Sequence, residues 1–326
     1  METRPLGRTD RQVSVIGLGS WQLGADWGDV SDADALAVLH AAVDAGVTFL
    51  DTADVYGDGR SERVIGRFLG EREGVTVATK MGRRADPHVA EAYTLDAFRA
   101  WVDRSRTNLG VDTLDLVQLH CPPTSVYADD RVFDALDTLV SEGRVAAYGV
   151  SVETCDEALS AIARPRVATV QIILNVFRRK PLEQVLPAAA AAGVGIIARV
   201  PLASGLLSGK YDENTHFAAD DHRSYNRHGE AFDVGETFSG VPYDVGVGAA
   251  RDVALMTPAG ATTAQLALRW IVDQPGVSTV IPGARNAEQA RANAAAADLS
   301  PLGDDLLDRL RDVYDNEVRE YVHNRW

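Results

Sequence analysis

Eight short apolar runs punctuate this chain, at 13–18, 47–50, 75–78, 114–119, 145–150, 169–173, 193–198 and 277–281. Each is rich in Val, Ile or Leu and bounded by Gly, Asp or Pro, the pattern of a strand buried on both faces of a parallel sheet. Between them lie amphipathic stretches with apolar residues at i, i+3 and i+4, at 32–45, 62–70, 95–109, 132–142, 155–163, 182–192 and 264–273. Start signals such as Ser31 ahead of Asp34 and Thr94 ahead of Ala97, and a stop at Gly46, support the helices. Strands alternating with helices predict parallel pairing. Eight of them close a (β/α)8 TIM barrel, a fold of about 250 residues plus additions.

The 326 residues leave room for three additions. Residues 4–8 are expected to pair with 12–15 as an N-terminal β-hairpin across the Arg8-Thr9-Asp10 turn. Residues 211–248 lack periodicity and read as a long loop after the seventh strand; a loop of that length normally carries function. Residues 304–326 read as an extra C-terminal helix and an end piece. No internal repeat or low-complexity linker interrupts the pattern, so 1–326 is read as one domain.

Charge and composition narrow the function. Lys plus Arg number 32 against 47 Asp plus Glu, a net charge of −15. Such a body repels phosphate backbones, which argues against general nucleic-acid binding. Any anionic ligand needs a local cation working against that field. Two cysteines, Cys121 and Cys155, exclude a disulfide framework and a cysteine-based zinc site. The start METRPLGRTD lacks the apolar core of a signal peptide, and no apolar run approaches the ~20 residues of a membrane span. A cytoplasmic protein is expected.

The strongest functional signal is the polar residue at the end of strand after strand: Asp51, Lys80, His120, Ser151, Gln171 and Arg199. Asp51 or Ser151 alone would read as well as a helix cap. Six in register on different strands of a barrel meet at one mouth, where barrel active sites lie. With Tyr56 close to Asp51, the group suggests a proton donor. A tyrosine of pKa ~10 is a poor acid near neutrality. An ammonium beside it lowers that pKa, and a carboxylate holds the ammonium charged. A histidine at the same point orients a carbonyl oxygen or shares the proton.

At Asp51-Thr-Ala-Asp-Val-Tyr56-Gly, Gly59-Arg-Ser-Glu62, Lys80 and Leu119-His120 the chain resembles the aldo-keto reductases. The resemblance continues through Gly17-Leu-Gly-Ser-Trp21, Gly149-Val-Ser151, the stretch from Pro201 to Tyr211, Ile281-Pro-Gly-Ala-Arg285 and Asn293. It implies a (β/α)8 barrel that binds NADPH or NADP+ across its C-terminal face and reduces a small aldehyde or ketone to an alcohol. It further implies that Tyr56 is the general acid, that Asp51 and Lys80 tune it, and that His120 positions the carbonyl. Gly19, Trp21 and Asp51 would lie beside the cofactor, and Ser151 and Gln171 would hold its carboxamide. Arg199, Val200, Pro201, Leu202, Gly205, Leu207 and Lys210 would run along the nicotinamide and pyrophosphate. Gly283, Ala284, Arg285, Gln289 and Asn293 match the stretch that holds the adenosine end and its 2′-phosphate. The chain departs from the family pattern at Val152, at Arg199, where many members carry an aromatic ring, and at Cys121.

Other motifs are weaker. Gly17-Leu-Gly19 lacks the third glycine of a dinucleotide fingerprint, and Gly205 to Lys210 is one residue short of a phosphate loop. His216, His222 and His228 lack a carboxylate partner and read as solvated loop rather than metal ligands. Trp21 and Trp27 read equally as core or pocket wall, and the resemblance favours Trp21 as the wall. The rival to an enzyme is a cofactor-binding, redox-sensing regulatory module similar to the potassium-channel β-subunits.

Overall fold

The computed structural model describes residues 1–24 and 30–326. Strands β1 (Thr3–Pro5) and β2 (Gln12–Ser14) pair antiparallel as a hairpin. The following strands are β3 (Leu18–Gly19), β4 (Phe49–Asp51), β5 (Thr76–Met81), β6 (Leu116–His120), β7 (Tyr148–Ser151), β8 (Thr169–Ile173), β9 (Gly195–Arg199) and β10 (Val277–Val280). They lie side by side in chain order, all parallel. Parallel bridges from Ile16 to Val280 and from Gly19 to Gly283 join the first to the last. The amides of Gly17 and Gly19 donate to the carbonyls of Val280 and Pro282 at 2.8 and 3.0 Å. The ring is closed, and the fold is a (β/α)8 TIM barrel.

Helices α1 (Asp32–Asp44), α2 (Arg60–Leu69), α3 (Leu95–Leu109), α4 (Asp130–Ser141), α5 (Cys155–Ile162) and α6 (Val185–Ala192) fill the crossovers up to β9. After β9 come a four-residue α7 (His222–Tyr225), α8 (Tyr243–Leu255) and α9 (Thr263–Val272), and then α10 (Ala287–Ala294) and α11 (Asp304–Val313) follow β10. The start signals act as expected: Ser31 accepts from the Asp34 amide and Thr94 from the Ala97 amide. Gly46 takes φ +93° just past α1, a conformation open to glycine at no steric cost. Among the described residues no helix is long and apolar enough to cross a membrane.

The hairpin decides which end of the barrel is open. Leu6 and Val13 are buried with the inward-facing Phe49, Ala78, Leu116, Ile197 and Ile281. Ser278 Oγ donates to the Pro5 carbonyl at 2.8 Å. The N-terminal end of the barrel is therefore plugged with apolar side chains, and the strand ends Asp51, His120, Ser151 and Arg199 lie at the opposite end.

Three sequence readings need correction. The run 13–18 is not one strand: its first half belongs to the hairpin, and the chain steps across at Ile16 and Gly17 to enter the barrel at Leu18. A Cβ on Gly17 would meet Phe49 at 3.0 Å, so the step uses the one residue that fits there. The strand at 75–78 runs on to Met81, which places Lys80 inside β5 rather than after it. The loop read as 211–248 ends at Pro242, because α8 begins at Tyr243. Gly246 and Gly248 hid that helix. A Cβ on Gly246 would stand 2.6 Å from Leu206, so glycine is there for close packing, not for a turn.

Candidate active site

Register assembles the site. Lys80 on β5 pairs with Gln118 on β6, His120 with Ser151, and Ser151 with Gln171. Asp51 closes β4. Lys80 Nζ donates to Asp51 Oδ1, to the Thr52 carbonyl at 3.0 Å and to the Tyr56 hydroxyl at 3.4 Å. The other carboxylate oxygen of Asp51 accepts from Gln171 Nε2 at 2.7 Å and from Gln118 Nε2 at 3.2 Å. Asp51 and Lys80 are both almost fully buried. Gln118 carried no signal in the sequence, since an amide inside an apolar strand looks like an exception until its partner is known.

Tyr56 sits on a turn whose tightness is explicit. Gly57 follows it with φ +57°, and a Cβ there would lie 1.9 Å from the Gly24 carbonyl. The Tyr56 turn and the turn Trp21–Gly24 thus meet backbone to backbone. The rings of Trp21 and Tyr56 are stacked with centroids 6.0 Å apart, and His120 stands edge-on to Tyr56 at 5.9 Å. Trp21 is a wall beside Tyr56; Trp27 lies outside the described residues. The motif residues Ser61 and Glu62 serve the scaffold. Ser61 Oγ shares hydrogen bonds with Ser20 and Thr52, and Glu62 accepts from Thr79 and Asn108.

Electrostatics modify one expectation. Burial pushes the Tyr56 hydroxyl up, and the Lys80 ammonium only partly offsets it. The net direction is opposite to that expected from the ammonium alone, because the hydroxyl is buried and the Asp51 carboxylate counters the lysine's charge. For Lys80 burial disfavours the ammonium, but Asp51 and Tyr56 outweigh it and hold the lysine above its ordinary value. Burial, followed by the nearby Arg83, Lys80 and Arg199, drives His120 well below its ordinary value, so it is neutral. Its buried Nδ1 has no hydrogen-bond partner among the described residues.

Beside this set lies a second buried acid. Asp54 is fully buried, and neither carboxylate oxygen finds a partner among the described residues. Burial, then Glu62, pushes it to about 7. A folded-state value above the unfolded one means that ionisation favours unfolding. Stability should fall as pH rises from about 4 to about 7, and the penalty is complete above that. Asp54→Asn is therefore expected to stabilise the protein more at pH 8 than at pH 5, by about 2 kcal/mol. Urea midpoints at the two pH values measure this; an equal effect at both would remove the assignment.

The expected cofactor residues fall into two groups. Ser151 and Arg199 close β7 and β9, and Val200, Pro201, Leu202 and Gly205 follow directly on β9. The backbone there is contorted, with positive φ at Val200, Ala203, Ser204 and Gly205, the kind of strain that collects at ligand sites. Lys210 is exposed at the end of this stretch. The Leu207 side chain is buried in the core, so only its backbone can face a ligand. Gln171 has its amide nitrogen committed to Asp51, which leaves its oxygen for other contacts.

The second group surrounds the loop into α10. Gly19 and Gly283 are bridged, and Ala284 is buried. Gln289 accepts from the Arg285 amide at 2.9 Å, and Asn293 donates to the Gly283 carbonyl at 3.1 Å. These two side chains brace the loop. Arg285 is 45% exposed, with Asp221 of the long loop 3.9 Å away. Of the three loop histidines, His222 is not solvated: it is fully buried with its ring 5.0 Å from Trp21.

Three charges that the sequence left unassigned, Arg83, Glu153 and Glu236, join Arg199 beside the site. Arg83 Nη2 donates to Glu236 at 2.7 Å and to Glu153 at 3.4 Å, and Arg199 Nη2 donates to Glu153 at 2.8 Å. The turn that carries Glu236 starts at Asp233, which accepts from the Trp326 indole at 2.9 Å beneath the Arg178 guanidinium.

The family model of the aldo/keto reductases matches residues 15–315. The chain belongs to the aldo/keto reductase family. A probable voltage-gated potassium channel subunit beta of Arabidopsis thaliana is 27% identical, over 98% of both chains. Among solved structures, the glycerol dehydrogenase AKR11B4 from Gluconobacter oxydans superposes with TM-score 0.79 at 28% identity, over 97% of this chain and 96% of that one. An aldo-keto reductase from Klebsiella pneumoniae in complex with NADPH gives TM-score 0.72 at 26% identity, over 96% and 95%. Members of the family thus include an NADPH-bound reductase and a channel subunit.

Proposed function

We propose that this chain is an NADPH-dependent oxidoreductase that reduces an aldehyde or ketone to the alcohol, with Tyr56 as general acid. The observation that carries the reading is the buried line from Asp51 through Lys80 to the Tyr56 hydroxyl, with neutral His120 edge-on to Tyr56. When bound, NADPH supplies the hydride. As the carbonyl carbon is reduced, its oxygen gains charge and takes the Tyr56 proton. Lys80 stabilises the phenolate left behind, and Asp51, fixed by Gln118 and Gln171, keeps Lys80 in place. His120 has no charge to repel or neutralise and orients the carbonyl oxygen. Reprotonation of Tyr56 from solvent completes the turnover.

The residues present fit the cofactor. Ser151 and the Gln171 oxygen are available to a carboxamide, the contorted 200–205 backbone to a pyrophosphate, and the braced 283–286 loop at the start of α10 to a phosphate. Within that last stretch Arg285 supplies the local cation that an anionic phosphate needs against a net charge of −15. Arg285→Ala is expected to weaken NADPH at least about tenfold, since each charge-assisted contact to phosphate contributes ~1.5–3 kcal/mol. NADH, without that phosphate, should change little. Fluorescence titration with both nucleotides decides the point; an equal loss for both would refute it.

The potassium-channel relative keeps a regulatory reading in play, and turnover separates the two. Many NADPH oxidised per protein in the presence of aldehydes supports the reductase. A single slow oxidation of bound cofactor, whatever the aldehyde, supports the sensor and removes the enzyme reading.

A further inference from the structure

Four charged side chains from four separate elements converge beside the proposed acid, and the proton transfer uses none of them. Arg83 lies two residues past β5, Glu153 two past β7, Arg199 closes β9 and Glu236 comes from the long loop. They alternate in sign around a ring. Arg83 bonds Glu236 and Glu153, Arg199 bonds Glu153, and Arg199 Nη1 stands 3.6 Å from Glu236. The ring belongs to the active-site mouth. Arg83 and Glu236 both act electrostatically on the Tyr56 hydroxyl, and Arg83 and Arg199 act on His120. Arg199 Nη2 also lies 3.7 Å from the sulfur of Cys121, next to His120.

Such a ring is a costly way to fill space, because every member loses hydration. It is also incomplete. Arg83 uses only Nη2; its Nε and Nη1 meet no acceptor among the described residues, and its side chain remains 23% exposed. Arg199, by contrast, is 9% exposed and also bound to the Val152 carbonyl. Arg83 therefore presents two donors to the mouth, with the carboxylate oxygens of Glu153 and Glu236 next to them. Burial, then Arg199 and Glu236 acting in opposite senses, leaves Glu153 raised to about 7, whereas Arg83 and Arg199 hold Glu236 low against burial.

The composition of the ring selects a ligand. A carboxylate on the substrate would gain from Arg83 but face two glutamates. An ammonium would meet the reverse. Cys121 and the two glutamates lie close enough to suggest a cation, but the guanidinium groups already occupy those carboxylates. A hydroxyl is uncharged and both accepts and donates, so it can accept a hydrogen bond from Arg83 and donate one to a glutamate without meeting a like charge. The indole of Trp21, stacked beside Tyr56, offers an apolar face for C–H groups on the other side.

We propose that Arg83, with Glu153 and Glu236, is the substrate-selecting contact of this site and that the preferred substrate is a short, uncharged aldehyde or ketone carrying a hydroxyl next to the carbonyl. This rests on the reductase reading above. The test is steady-state kinetics at saturating NADPH with glyceraldehyde, propanal and succinic semialdehyde, on the wild type, Arg83→Met and Arg83→Gln. NADPH binding by fluorescence confirms that each variant is folded.

The ratio of kcat/KM for glyceraldehyde over propanal should fall at least tenfold in Arg83→Met, mainly through KM, and less in Arg83→Gln, which keeps a donor. A ratio that does not move in either variant overturns the proposal. So does a loss confined to succinic semialdehyde, which would make Arg83 a carboxylate anchor. If the wild type binds NADPH but turns over none of the three, the reductase reading itself fails, and this proposal with it.

Discussion

Replacing Tyr56 with phenylalanine is expected to lower the rate of the chemical step by at least a hundredfold while leaving NADPH affinity nearly unchanged. The ring, its stacking on Trp21 and its contact with His120 survive the change; only the hydroxyl 3.4 Å from Lys80 Nζ is lost. General acid catalysis contributes ~10²–10⁴-fold, so the loss belongs in that range. Single-turnover kinetics with a saturating aldehyde isolates the step. A variant that keeps more than about a tenth of the wild-type rate there would show that another group donates the proton. His120, neutral and with a buried unpartnered Nδ1, would then be the next group to test.

Lys80→Met should damage both stability and chemistry, and a second substitution should pull the two apart. Lys80 and Asp51 form a buried ion pair, 1% and 3% exposed. Removing one partner of such a pair costs ~3–5 kcal/mol, because the other charge stays buried and unpaired. Gln118 and Gln171 still donate to Asp51 Oδ2, so the cost should fall near the lower end. Adding Asp51→Asn removes the stranded charge, and the urea midpoint should recover by about 1 kcal/mol or more. Activity should not recover, since nothing then stabilises the Tyr56 phenolate. If the double variant is no more stable than Lys80→Met, the pair is not the electrostatic unit described here. If it regains activity, Lys80 acts by packing alone.

Much of the molecule was legible before any coordinates. Each of the eight apolar runs contains part of a barrel strand, because a strand buried on both faces must be apolar along its length and so leaves a local mark. Two of the misreadings occurred where glycine serves close approach rather than a turn. Gly17 at the hairpin-to-barrel step and Gly246 inside α8 are both set by a neighbour far along the chain, Phe49 in one case and Leu206 in the other. His222 was read as solvated for a similar reason: a histidine in a polar loop gives no hint that a tryptophan two hundred residues earlier will cover it.

The same division runs through the site. Asp51, Lys80, His120 and Ser151 could be picked out because a polar residue ending an apolar run is conspicuous, and barrel topology sends all such ends to one mouth. Their company could not. Gln118 and Gln171 meet Asp51 across distances of 67 and 120 residues, and Arg83 meets Glu236 across 153. Arg83, Glu153 and Glu236 each stand in a loop where a charge is ordinary, and only the closing of the barrel puts them within hydrogen-bonding reach of one another. The sequence by itself determined the strands, their order and the residues of the Asp51–Lys80–Tyr56 line, because those depend on local pattern and a topology with few alternatives. The tertiary structure alone decided which charges are buried and paired, because burial and pairing belong to residues brought together from far along the chain.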